Sequence, residues 1–138
     1  MTVARVCLCA AIIVGGLALR GLGLRLGLPA FIVKYGGSVL WGAMVFFLAA
    51  LAGSRLSRPG IALIAAAIAI IVELFRLVHT PALDAFRLTL AGALLLGRIF
   101  SAWDMVAYGV GIALAMALDG LAVRRSPNDA GVSFPSNR

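Results

Sequence analysis

The sequence predicts an all-α fold, a polytopic membrane helical bundle with four spans plus one shorter embedded helix. If the short helix crosses fully, the count becomes five spans. Three observations carry the prediction. First, 63% of the 138 residues are apolar and 12% are charged, with a mean hydropathy of +1.10. Soluble domains run at roughly 45–50% apolar and about 25% charged, and a chain this short cannot bury so much apolar surface in one aqueous core. Second, uncharged runs recur at Val6–Leu19, Gly36–Ser54, Pro59–Val72, Leu88–Gly97 and Met105–Leu118. Third, the charges stand at the edges of those runs. Together these features exclude a soluble globular domain, a disordered chain and a disulfide scaffold.

A span needs about 20 predominantly apolar residues, with roughly 17 as the lower limit, and Gly36–Ser54 reaches this unaided. The runs at Val6, Pro59 and Met105 reach it when Arg20, Glu73 and Asp119 sit near helix ends. An Arg there can snorkel to the interface, whereas an acid needs a partner or water. The fourth run is too short to span alone. Thr80 followed by Pro81 reads as an N-cap and first helical residue, Asp84 falls in the first turn, and Gly97 supplies a stop. The resulting embedded helix is roughly 25 Å long at about 1.5 Å per residue, with Arg87 inside it. Ser101 and Asp104 form a capping-box pattern that opens the last span, which runs to about Val123.

Residues 1–123 therefore form one transmembrane domain, and residues 124–138, rich in Ser, Pro, Asn and Gly, form a disordered polar tail. The first run follows Arg5 but lacks a small-residue cleavage site, so it reads as an uncleaved span rather than a signal peptide. Basic residues divide six to six between the two sides: Arg5, Arg55, Arg58, Arg124, Arg125 and Arg138 against Arg20, Arg25, Lys34, Arg76, Arg87 and Arg98. The second set is interleaved with Glu73, Asp84 and Asp104, and paired Arg is a poor orientation signal. Both termini are accordingly expected in the cytoplasm.

The net charge of +7 invites a nucleic-acid reading, but the basic residues are scattered and present no stripe, so no nucleic-acid partner is expected. Basic residues flanking apolar segments suit membrane lipids instead. Cys7 and Cys9 lie roughly 200° apart around a helix and read as small apolar fillers, with no metal and no cofactor implied. Small residues recur every four positions at Ala65, Ala69 and Glu73, and again at Ala107, Gly111, Ala115 and Asp119. Such faces let helices approach closely in lipid, which makes these two spans neighbours; they also offer docking surfaces for a protein partner or a homo-oligomer.

The chemistry-bearing feature is a polar series on one side of the bundle: Arg20, Arg25, Lys34, Tyr35, Glu73, Arg76, His79, Asp84, Arg87, Arg98, Asp104 and Tyr108. Glu73 with Arg76, and Asp84 with Arg87, have helical i,i+3 spacing. Ionisable residues in apolar segments face the protein interior or a wet cavity. Two readings follow. One is a structural ion-pair network that pins the embedded helix. The other is a site for an anionic lipid or amphiphile, because the six cations outnumber three acids and a surplus guanidinium suits a phosphate or carboxylate. Either way the residues concerned are Arg25, Lys34, Glu73, Arg76, Asp84, Arg87, Arg98, Asp104 and Tyr108. His79, next to Thr80-Pro81, reads as a helix-end residue at the interface.

The pattern Gly97-x-x-Phe100-x-x-x-Asp104-x-x-x-Tyr108-x-x-Gly111, preceded by Glu73 in an apolar helix and by Lys34-Tyr35-Gly36-Gly37, resembles the DUF2809 family. The likeness runs from about Arg20 to Asp119. It implies a small, multi-pass protein of the bacterial inner (cytoplasmic) membrane with unknown function. A looser likeness links the chain to the VanZ-like membrane proteins, which are associated with glycopeptide resistance; members often carry Glu-x-x-Gln where this chain has Glu73-x-x-Arg76.

Three functions are thus expected in order. The first is binding of an anionic lipid or amphiphile at the non-cytoplasmic face through Arg25, Arg76, Arg87 and Arg98. The second is an accessory or assembly subunit of a larger membrane complex. The third is a small intramembrane enzyme acting on lipid-linked substrates, with Glu73 or Asp104 as general base, a role that needs a proton donor in hydrogen-bond reach.

Overall fold

A computed structural model describes residues 2–53, 55–89, 91–92 and 101–124. Its helices are α1 (Thr2–Leu22), α2 (Ala30–Ala52), α3 (Arg58–Phe75), α4 (Pro81–Arg87) and α5 (Ala102–Arg124). The described residues are helical or connecting, with no strand. Among the described residues, helices α1, α2, α3 and α5 are each long and apolar enough to cross a membrane, which makes the chain an all-α membrane protein with four candidate spans there. Outward rows of large apolar side chains fit that solvent: Val14, Leu63, Ile71 and Leu114 are all exposed.

The four long helices run up and down, and α2 is the hub. It packs against α1, α3 and α5, while α3 also packs against α5. The core between them holds Phe46, Phe47, Ile61, Ala65, Ile112 and Ala115, with the two phenyl rings edge-on at 5.5 Å. Two glycines set the α2/α5 spacing. A Cβ on Gly111 would overlap the Val39 carbonyl, and one on Gly42 would meet the Tyr108 backbone at 2.5 Å, so the two backbones touch where each offers no side chain. The small-residue faces expected of α3 and α5 are buried against their neighbours at Ala65, Ala69, Ala107 and Ala115. They serve packing within the chain. Cys9 is buried and Cys7 exposed, as their angular separation requires.

Three local expectations need correction. Helix α2 begins at Ala30, not near Gly36, so Lys34-Tyr35-Gly36-Gly37 lies within its first turns behind Pro29. The embedded helix does not run unbroken from Thr80 toward Gly97. Thr80 does cap it, accepting from the Leu83 N–H at 3.3 Å with Pro81 following, yet α4 ends at Arg87. Thr89 explains the stop: its hydroxyl donates to the Phe86 carbonyl at 2.7 Å and accepts from the Gly92 N–H at 3.1 Å. That side chain closes one helical turn and caps the next. The expected stop at Gly97 lies outside the described residues. Finally, α5 continues through Arg124, one residue into the expected tail; residues 125–138 lie outside the described ones.

Candidate functional site

The up-and-down path brings the C-terminus of α3, the N-terminus of α5 and the first third of α2 to one end of the bundle. Glu73, Arg76, Asp104 and Tyr108 converge there, all of them buried. Arg76 sits between the two carboxylates. Its Nη1 is 2.8 Å from Glu73 Oε2 and 3.1 Å from Asp104 Oδ2, and its Nη2 donates to the Tyr108 hydroxyl at 2.7 Å. The Tyr108 hydroxyl in turn donates to Glu73 Oε2 at 3.2 Å. The Ser101 N–H donates to Glu73 Oε1 at 2.8 Å. Glu73 thus satisfies the N-terminus of α5, a task the capping-box pattern assigned to Asp104. Asp104 turns away toward α2, with its Oδ1 3.2 Å from Ser38 Oγ. Ser38 is the member of this cluster that the sequence reading did not pick out.

The remaining expected residues are placed elsewhere. Arg87 is buried and clamps the turn after α3: its Nη2 donates to the Phe75 carbonyl at 2.7 Å, and its Nη1 to the Val78 carbonyl at 2.8 Å and to Asp84 at 3.1 Å. The Phe75 carbonyl, at the end of α3, also accepts from the Val78 N–H at 3.1 Å, and the Val78 carbonyl lies in the turn that follows. Exposed His79 contacts Asp84 at 3.2 Å and completes this surface group. Arg25 and Lys34 have exposed side chains, Lys34 touching the cluster through its carbonyl, which accepts from Ser38 Oγ at 3.2 Å, and Arg98 lies outside the described residues. Glu73, fully buried and bonded to three donors, is not open to a substrate.

The polar series was expected on one side alone, and this is a further correction, because the opposite end holds a second buried ion cluster. Arg5 forks onto Asp119, Nε to Oδ1 at 2.7 Å and Nη2 to Oδ2 at 2.9 Å, and its Nη1 donates to the Ala50 carbonyl at 3.1 Å. Arg58 reaches Asp119 Oδ2 from α3 at 3.2 Å. A sequence signal for this cluster existed: Asp119 continues the buried four-residue stripe of Ala107, Gly111 and Ala115. Arg5 is therefore a paired, buried group and carries no more orientation information than Arg76 does.

Between α1 and α2 lies an open cleft of about 310 Å³, lined by Ile12, Gly16, Leu17, Leu40, Trp41 and Met44, with Arg20 and Gly37 at its Glu73 end. Trp41 forms part of the wall, and its ring also meets that of Tyr108 in a tilted contact, 4.9 Å between centroids at 47°. Trp41 thus stands between the cleft and Tyr108 of the buried cluster.

No solved structure matches the chain. The model of one family, Protein of unknown function (DUF2809), matches residues 27–112, which span Ser38, Glu73, Arg76, Asp104 and Tyr108 but neither Arg5 nor Asp119. With well over half of its length matched, and with the cluster at the Glu73 end inside the match, the chain belongs to the DUF2809 family.

Proposed function

We propose that this protein binds an anionic, acyl-chained membrane amphiphile in the α1/α2 cleft, its head group at the Arg20 end. The observation that supports the reading is the shape of the cleft. Its walls are aliphatic and aromatic along most of their length, and its polar end carries a cation. Arg20, Arg25 and Lys34 have exposed side chains toward the same end of the bundle, and Arg76 and Arg87 are buried beneath them. An acyl chain in the groove with a phosphate or carboxylate at its mouth satisfies both the apolar lining and the surplus charge. The protein would act in the bacterial inner membrane with both termini in the cytoplasm, which puts the Arg20 end at the non-cytoplasmic face.

Trp41 provides the assay. In a Trp103→Phe background it is the one remaining tryptophan, and brominated acyl chains entering the cleft quench it. Brominated phosphatidylglycerol should outcompete brominated phosphatidylcholine. Each of Arg20→Gln, Arg25→Gln and Lys34→Gln should reduce the preference by about fivefold or less, since a surface cation contributes ~1 kcal/mol toward an anionic head group. Gly16→Leu should block quenching, because a Cβ at that position meets only Leu40, at 3.9 Å, and the larger side chain has room to fill the groove. Equal quenching by the two lipids, unchanged by these substitutions, would overturn the proposal.

A further inference from the structure

The cleft has a third side. Besides α1 and α2 it is lined by Ala91, which comes from the chain beyond α4. Three contacts hold that residue at the Arg20 end. Arg87 ties α4 to the end of α3 through the Phe75 and Val78 carbonyls. The Thr89 hydroxyl donates to the Phe86 carbonyl at 2.7 Å and accepts from the Gly92 N–H at 3.1 Å, folding the chain back on α4. Gly92 completes the fold: a Cβ there would overlap the Phe86 carbonyl and stand 3.0 Å from Arg87 Cα, so the two backbones touch where a side chain has no room. Ala91, one peptide away, stays beside the clamp that Arg87 makes.

The Arg20 end of the cleft is thus flanked by the two smallest residue types. Gly37 of α2 has no side chain, and Arg20 lies against it, its Nε 3.3 Å from where a Cβ would stand. Ala91 carries a single methyl group and is exposed. Large side chains line the rest of the cleft: Ile12, Leu17, Leu40, Trp41 and Met44. The cleft is therefore widest in side-chain terms beside its cation. We infer that Ala91 sets the size of head group that the cleft accepts, with Thr89 and Arg87 as the residues that position it. Resting on the amphiphile-binding reading of the cleft, this narrows the ligand to one whose head is broader than a bare carboxylate, a phosphodiester of the glycerophospholipid kind. A small residue at 91 leaves space for the substituents of the phosphate, and a larger one excludes them by a clash that a fatty-acid carboxylate escapes.

Trp41 quenching in the Trp103→Phe background tests this with two amphiphiles, brominated phosphatidylglycerol and brominated stearate. Ala91→Leu should weaken the phospholipid at least about tenfold and the stearate about threefold or less, as overpacking of one part of a site predicts. Ala91→Ser, which keeps the size, should bind both as the wild type does. Ala85→Leu, at an exposed position of α4 outside the cleft, should change neither. Thr89→Val removes both hydroxyl bonds and should weaken the phospholipid about threefold, and Thr89→Ser should restore it. Because Ala91 is exposed, Ala91→Leu should unfold at the wild-type midpoint in the absence of lipid. Absence of any phosphatidylglycerol preference over phosphatidylcholine in the wild type removes the cleft reading itself. With that preference present, the role of Ala91 is overturned if Ala91→Leu binds phosphatidylglycerol normally, loses both amphiphiles equally or has a lowered midpoint. It is likewise overturned if Thr89→Ser binds no better than Thr89→Val.

Discussion

Replacing Asp119 by Asn tests the cluster at the Arg5 end. The substitution keeps the shape of the side chain and removes its charge, leaving Arg5 with a 10%-exposed side chain and no counterion. The Arg58 contact adds little: its side chain is 38% exposed, and a solvated pair of this kind is worth roughly 0.5 kcal/mol. The Arg5 fork dominates. Breaking a buried pair by removing one partner costs about 3–5 kcal/mol, and the lower end applies because Arg5 sits in the first turns of α1 and can snorkel to the interface. Reversible unfolding in dodecyl maltoside and SDS mixed micelles should therefore show a loss of about 3 kcal/mol for Asp119→Asn. Removing both charges in Arg5→Met/Asp119→Leu should restore all but about 1 kcal/mol, since apolar replacement of a whole buried pair is close to neutral. The reasoning is refuted if the single substitution is silent, or if the double one is as unstable as the single.

Other consequences follow from the same geometry. Gly111→Ala should cost about 1–3 kcal/mol by forcing α5 off the Val39 carbonyl. Gly109→Ala, whose Cβ meets nothing within 4 Å, should be neutral or slightly stabilising in the same unfolding assay. Tyr108→Phe removes one donor and one acceptor from the buried cluster and should cost about 1–3 kcal/mol. Arg87→Met should leave global unfolding nearly unchanged but speed amide hydrogen exchange across residues 76–88, because the Phe75 and Val78 carbonyls lose the donor that ties α4 to the end of α3. Equal exchange rates in the two proteins would remove Arg87 from that role.

Much of the architecture was legible because lipid imposes a simple requirement: a spanning segment must be helical and apolar for about 20 residues. The long runs around Val6, Gly36, Pro59 and Met105 meet it, and caps such as Thr80-Pro81 follow from local hydrogen bonding. The pairing of Glu73 with Arg76 was equally open to view, since both lie on one helix face. What escaped was set by tertiary partners. Glu73 took over the capping of Ser101 from 28 residues away, and Asp119 found Arg5 across 114 residues. Thr89 ended α4 through two hydrogen bonds, although threonine inside an apolar run gives no break by composition alone.

The two clusters also bear on where the cleft between α1 and α2 lies. Lipid tails are as apolar as the helices, so burial drives helix association weakly, and register rests on close packing and on polar contacts. Helices α2, α3 and α5 have both: glycine contacts bring α2 and α5 together, and Ser38, Glu73, Arg76 and Asp104 lock their far end. Helix α1 is tied at its beginning by the fork of Arg5 onto Asp119 and the Ala50 carbonyl. Toward its other end it meets α2 through Gly16, Leu17 and Arg20, and the seam opens there into the cleft. That end is also held, by Leu19 against Gly36 and Arg20 against Gly37, so the cleft is a gap between two fixed contacts along one seam. Filling that seam with an acyl chain would therefore stabilise α1 against α2 without disturbing the core. Accordingly, bound anionic lipid should slow hydrogen exchange in residues 12–22 more than in α5, and an equal effect on both helices would count against a cleft-bound chain.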